Sequence, residues 1–125
     1  MTPTPKRALG DRGELAARQL LEAKGMRWIA SNWHCEAGEL DLVMLDGEEL
    51  VVIEVKTRTG ERSGRAEESI GQSKSRKLLA TAEWFVDAHP DHADRIWRVD
   101  LLALTLRADG SIIRVTHVEN AILTG

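Results

Sequence analysis

At 125 residues the chain has the length of one domain, which excludes a two-domain enzyme with a separate cofactor module, and its 42% hydrophobic content can fill one core without covalent staples. The single cysteine, Cys35, excludes an intramolecular disulfide and a multi-cysteine zinc site and fits a reducing compartment, so a cytoplasmic location is expected. With 17 basic and 20 acidic residues the net charge is −3, and no overall basicity announces a polyanion as partner.

Thr2–Arg7 contains two prolines and no periodicity, so residues 1–8 are expected to form a disordered tail ahead of a single domain over 9–125. Neither this tail nor any later segment has the apolar run of a signal peptide or a membrane helix, and no membrane association is expected. Asp11-Arg12-Gly13-Glu14 has the form of an N-cap with Glu three residues on, and Ala17, Leu20, Leu21 and Lys24 recur at helical spacing until Gly25 ends the run. Met26–Trp33 reads as a strand. Glu39–Leu45 and Glu49–Arg58 read as two further strands around Asp46-Gly47, a dipeptide that supplies the positive φ of tight hairpin turns.

Thr59–Ser69 has two glycines and no apolar period, as a mobile loop does. Ser73–Ala88 returns to helical spacing, with Leu78, Leu79, Ala82, Phe85 and Val86 as its stripe and Pro90 as its stop. Ile96–Leu106 and Ile112–Val118 form a second hairpin across Ala108-Asp109-Gly110, followed by a short piece over Glu119–Leu123. The element order is therefore α-β-β-β-α-β-β. Trp28, Trp33, Trp84 and Trp97 are expected in the core or at its edge, and His34, His89, His92 and His117 at the surface or in loops.

Alternation of side chains across the first hairpin carries the chemistry. Asp41 and Glu54 fall on one face in either of two registers: a two-residue loop at Asp46-Gly47 sets Asp41 opposite Val52 and diagonal to Glu54, whereas a four-residue loop ending at Glu49 sets Asp41 opposite Glu54. Glu39, Lys56 and Arg58 share that face, and the opposite face carries Leu40, Leu42, Met44, Val51, Ile53 and Val55. Crowded carboxylates need a cation or a proton, and oxygen donors with free water positions suit Mg²⁺ or Mn²⁺ better than zinc. Such an ion polarises a phosphate oxygen and activates water. The alternative is an exposed hairpin with cross-strand Lys–Glu pairs. Glu14 is open in the same way: it lies beside the inward stripe of its helix, where it can reach the cluster, or it completes a capping box on Asp11.

Between Lys56 and Lys77 seven basic residues outnumber three acidic ones, and Arg58, Arg62, Arg65 and Lys74 are the candidates for phosphate contacts. Lys74 lies in a first helical turn, where a cation is disfavoured unless an anion is close. A solvated surface is the other meaning of such a run.

Gly13-Glu14, Asn32, Gly38-Glu39-Leu40-Asp41-Leu42-Val43, Val52-Ile53-Glu54-Val55-Lys56-Thr57-Arg58, Lys74 before Leu78, and Arg98-Val99-Asp100 together resemble the bacterial YraN-like family from about Leu9 to Ile122. That family is similar to archaeal Holliday junction resolvases and is placed in the PD-(D/E)XK nuclease superfamily. The resemblance implies an α/β, restriction-endonuclease-like αβββαβ core with a mixed central sheet flanked by two helices. It also implies Asp41, Glu54 and the Val55 carbonyl as metal ligands, Lys56 as catalytic lysine and Glu14 as an accessory acid, with Glu39 beside them. The expected function is hydrolysis of DNA phosphodiesters, on branched or nicked DNA, by a monomer or homodimer using Mg²⁺ or Mn²⁺ and no small-molecule cofactor. The rivals are a catalytically silent nucleic-acid-binding module and a protein-interaction module.

Overall fold

Five strands and two helices build the domain in the computed structural model, which describes residues 5–60 and 70–122. The order is α1 (Pro5–Ala23), β1 (Arg27–Cys35), β2 (Gly38–Asp46), β3 (Glu49–Thr59), α2 (Gln72–Ala88), a 3₁₀ turn at Pro90–His92, β4 (Trp97–Leu106) and β5 (Ile112–Ile122). The strands lie in one sheet in chain order, antiparallel except for the β3–β4 pair, which α2 connects as a parallel crossover. This is the mixed sheet with flanking helices that the αβββαβ reading requires. Among the described residues no helix is long and apolar enough to cross a membrane.

Each helix covers one face. On the α1 side Ala17 and Leu21 pack on Leu42, Met44, Val51, Ile53, Leu102 and Leu104. On the α2 side Leu78, Ala82 and Phe85 pack on Val43, Leu45, Leu50, Val52, Val99 and Leu101. A sheet covered on both sides explains why its central strands are apolar on both faces.

Three local differences from the sequence reading matter. α1 begins at Pro5, so Pro5–Ala8 are helical and Asp11 lies inside the helix, where it caps nothing. The helix ends as expected: Gly25 takes φ +97, and the Met26 N–H donates to the Leu21 carbonyl at 3.1 Å. Second, Leu40 packs on the α2 side with Val43 and Leu45, not with Leu42 and Met44, so the alternation of β2 breaks at Asp41. Third, two tryptophans expected in the core are out of it: Trp84 is exposed, and Trp28 lies at the surface under the Arg18 guanidinium, 4.2 Å from its ring. Trp33 does reach the core edge, stacking edge-on against Phe85.

On β4, paired with Ile53 of β3, Asp100 is fully buried and fully used. It accepts from Arg98 Nε at 3.0 Å, the Asn120 N–H at 3.0 Å and His117 Nε2 at 2.8 Å. Lys24 Nζ, a donor only, sits 3.1 Å from His117 Nδ1 and so leaves the ring proton on Nε2, facing Asp100. His117 is therefore a buried member of β5 and not a surface residue. His89 is also placed inward, stacked on Phe85 at 3.9 Å. Arg98 further pairs with Asp46 and Glu49 at 3.1 Å each, tying the β2–β3 turn to β4. Arg98-Val99-Asp100 is a structural clasp.

Candidate active site

The hairpin has the register Asp46↔Glu49, Leu45↔Leu50, Met44↔Val51, Val43↔Val52 and Leu42↔Ile53, with Gly47-Glu48 as its two-residue turn and Gly47 at φ +62. This is the register of the wider loop closed by one further pair, and its next step would bring Asp41 across from Glu54. The ladder stops there. β2 and β3 part where the alternation of β2 breaks, and the Val55 N–H, freed from the ladder, donates to Asp41 Oδ2 at 2.9 Å. The expected contact of Asp41 with Glu54 thus arises at a strand divergence, where side chains are reached from the sheet end.

Two glycines allow the helices to approach this point. Gly13 lies so close to Thr57 that a Cβ would collide with the threonine side chain, which sets α1 directly on β3. Gly38, at φ +153, has Thr81 of α2 against it, and a Cβ would come within 2.8 Å of the hydroxyl. Glu14, next to Gly13, is therefore held over the sheet end, and the capping-box alternative falls with the earlier helix start.

Glu54 is buried and Asp41 is half-buried. Lys74, from the first turn of α2, places Nζ 2.5 Å from Glu54 Oε1. Burial pushes the Asp41 carboxyl up to about 7, and the charge of Glu54 adds to the rise against the Val55 hydrogen bond. Glu14 is also raised, by burial first, with Asp11, Glu39 and Glu54 adding to it and a hydrogen bond from Asn32 opposing it. For Lys74 burial works against the charge, but the hydrogen bond and charge of Glu54, then Asp41, outweigh it and raise its pKa.

A cleft of ≈ 230 Å³ opens on the pair, lined by Gly38, Glu39, Asp41, Glu54, Lys74, Lys77, Leu78 and Thr81. A second depression, lined by Asp11, Glu14, Asn32, His34 and Glu39, borders it at Glu39. The larger cleft of ≈ 590 Å³ is at the hairpin turn among Asp46, Glu48, Glu49, Asp91 and Asp94, where a phosphate would meet repulsion, and the two raised carboxyls are not in it. Of the two raised carboxyls, Asp41 lines the ≈ 230 Å³ cleft and Glu14 the depression beside it.

Of the residues singled out in the sequence, Glu14, Asp41, Glu54 and Lys74 come together. Glu39 is exposed at the rim. Lys56 and Arg58 are half-buried farther along β3, engaged in interactions of their own and not lining the cleft. Arg62 and Arg65, with most of the expected Thr59–Ser69 loop, lie outside the described residues. Asn32 was not assigned a role from sequence, yet it bonds Glu14 and takes φ +51 within β1, a left-handed conformation that asparagine tolerates better than most residues. Lys77, one turn beyond Lys74, also lines the cleft and was given no site role from sequence.

The donor set fits a hard divalent cation in part. Among the described residues no three acidic, histidine or cysteine side chains converge as ligands on one point. Asp41 and Glu54 form a pair that already holds a cation, the Lys74 ammonium, and Mg²⁺ is commonly held by one or two carboxylates with water completing its shell.

Comparison with known proteins places this geometry in a family. Residues 13–104 match the model of the "Uncharacterised protein family UPF0102". The chain is 43% identical over 120 residues to a "UPF0102 protein" of Chloroflexus aurantiacus, covering 96% of this chain and 97% of that one. It is 43% identical over 118 residues to one of Pelotomaculum thermopropionicum, covering 93% and 96%. A third, from Ectopseudomonas mendocina, is 45% identical over 113 residues, covering 90% and 92%.

Proposed function

The chain belongs to the UPF0102 family, and from that footing we propose that it is a metal-dependent DNA endonuclease of the PD-(D/E)XK kind, with branched or nicked DNA as its substrate class. The observation that carries the reading is the Asp41–Glu54 pair at the parting of β2 and β3, with Glu54 buried and held by Lys74 and the half-buried Asp41 raised to about 7 by burial and by Glu54. A merely structural acidic pair is satisfied by buried partners, as Asp100 is; this one opens on a cleft and is held by a side chain that is 54% exposed.

In this reading Asp41, Glu54 and the Val55 carbonyl hold Mg²⁺ or Mn²⁺, which when bound supplies positive charge to a phosphate oxygen and acidity to water. The Val55 N–H fixes the rotamer of Asp41, and Asn32 fixes Glu14 at the rim. Lys56 stands two residues beyond Glu54 on the same face of β3, where its ammonium steadies the attacking water or the charge developing on phosphate. Water adds to phosphorus, one bridging P–O bond breaks, and a phosphate monoester and a hydroxyl end result. Arg58, Arg62, Arg65 and Lys74 offset the repulsion between the acidic pair and the DNA backbone.

The test is Mn²⁺-dependent cleavage of linear, nicked and four-way DNA by the wild type beside Glu54→Gln. Cleavage by the wild type alone supports the reading. Salt-sensitive DNA binding with no turnover in either protein would replace it with a silent binding module.

A further inference from the structure

Lys74 occupies a position that its own helix opposes. It is the third residue of α2, whose first turn has unsatisfied N–H groups and no acidic side chain, so the helix end repels an ammonium there. What holds it is Glu54, with Asp41 behind. The two partners differ in access: Glu54 is 7% exposed, while Lys74 is 54% exposed. The lysine can leave without unpacking anything; the carboxylate cannot follow it.

Resting on the proposed function, we infer that Lys74 is a built-in counter-cation that a divalent ion displaces from Glu54, and that the displaced ammonium becomes a phosphate contact at the mouth of the same cleft. The ammonium sits 2.5 Å from Oε1 of a carboxylate that lines the cleft, and a dication on this pair would lie close enough to repel it. Once released, Lys74 projects from the helix end one turn before Lys77, and both lysines line the cleft. A DNA phosphate there meets both amines and the positive end of α2. Metal and DNA then favour each other's binding, because the metal frees the group the phosphate uses, and the coupling is reciprocal.

The full-length protein tests this without turnover. Titration calorimetry with MnCl₂ and no DNA should show Lys74→Met and Lys74→Gln binding Mn²⁺ roughly three- to tenfold more tightly than the wild type, the scale of one partly exposed ion pair. In metal-free buffer both variants should melt below the wild type, since Glu54 is left without its partner, and MnCl₂ should raise their Tm by more than it raises that of the wild type. Acetylation by limiting reagent, mapped by mass spectrometry and normalised to Lys24, should be faster at Lys74 when MnCl₂ is present. Unchanged labelling overturns the displacement whatever the affinities, and equal or weaker Mn²⁺ binding by the variants overturns it while leaving the metal site standing. A wild type that binds no Mn²⁺ overturns both the inference and the nuclease reading.

Discussion

Asp41→Asn in metal-free buffer should stabilise the protein most at pH 8, by progressively less as pH falls, and hardly at all near pH 4. Burial, then Glu54, raises the folded-state pKa of Asp41 from 3.8 to about 7. Between those values the folded chain holds a proton that the unfolded chain has released. Stability is therefore greatest at the acid side of the window and falls as pH rises from about 4 to about 7. At about 1.4 kcal/mol per pKa unit the full shift corresponds to about 4 kcal/mol, and because the cleft admits water and Lys74 lies close, roughly 2–4 kcal/mol should be measurable. Asparagine keeps the acceptor for the Val55 N–H and carries no charge, so it removes this pH dependence with little change of shape. Urea denaturation in EDTA from pH 4.5 to 8.5 measures it, and the difference at pH 8 corresponds to a Tm gain on the order of 10 °C. A shallower slope should persist in the mutant, because Glu14 is raised in the same direction. Identical slopes in the two proteins would refute the crowded, desolvated pair, and with it the electrostatic case for a metal there.

Lys56→Met should lower single-turnover cleavage by roughly 10²-fold or more while Mn²⁺ affinity stays nearly constant; cleavage at the wild-type rate would make Lys56 a structural lysine. Replacing Arg62, Arg65 and Lys74 together should flatten the plot of log DNA affinity against log salt by about two to three units, at about 0.9 per phosphate contact, and an unchanged slope would favour the protein-interaction reading. Asp100→Ala should cost about 3–5 kcal/mol by denaturation, since Arg98 and His117 lose a fully buried partner, yet leave Mn²⁺ affinity intact. A loss of Mn²⁺ binding by a folded Asp100→Ala protein would show that the clasp and the cleft act together.

What local chemistry controls was legible in the chain. The 3.6-residue stripe of Leu78, Ala82 and Phe85, the two-residue period of Val43, Leu45, Leu50 and Val52, and the turn at Gly47 each depend on neighbours a few residues away, so the order of elements and the pairing of the first hairpin followed from them. Parity alone put Asp41 and Glu54 on one face. Tertiary structure decided whatever joins distant segments or depends on where regularity breaks. The alternation of β2 fails at Asp41, and the packing of Leu40 under α2 settles that, not any period. Glu14 lies beside the carboxylate pair and is not a cap because α1 starts at Pro5 and Gly13 presses it onto Thr57, 44 positions away. His117 is buried because Asp100, on the neighbouring strand, needs a donor there. Above all, two lysines were candidates for the carboxylates, Lys56 beside Glu54 in sequence and Lys74 twenty residues on. The fold brings Lys74 to Glu54 because the parallel crossover returns the start of α2 over the end of β3, and a helix end that repels a cation keeps one only where buried acids attract it more strongly.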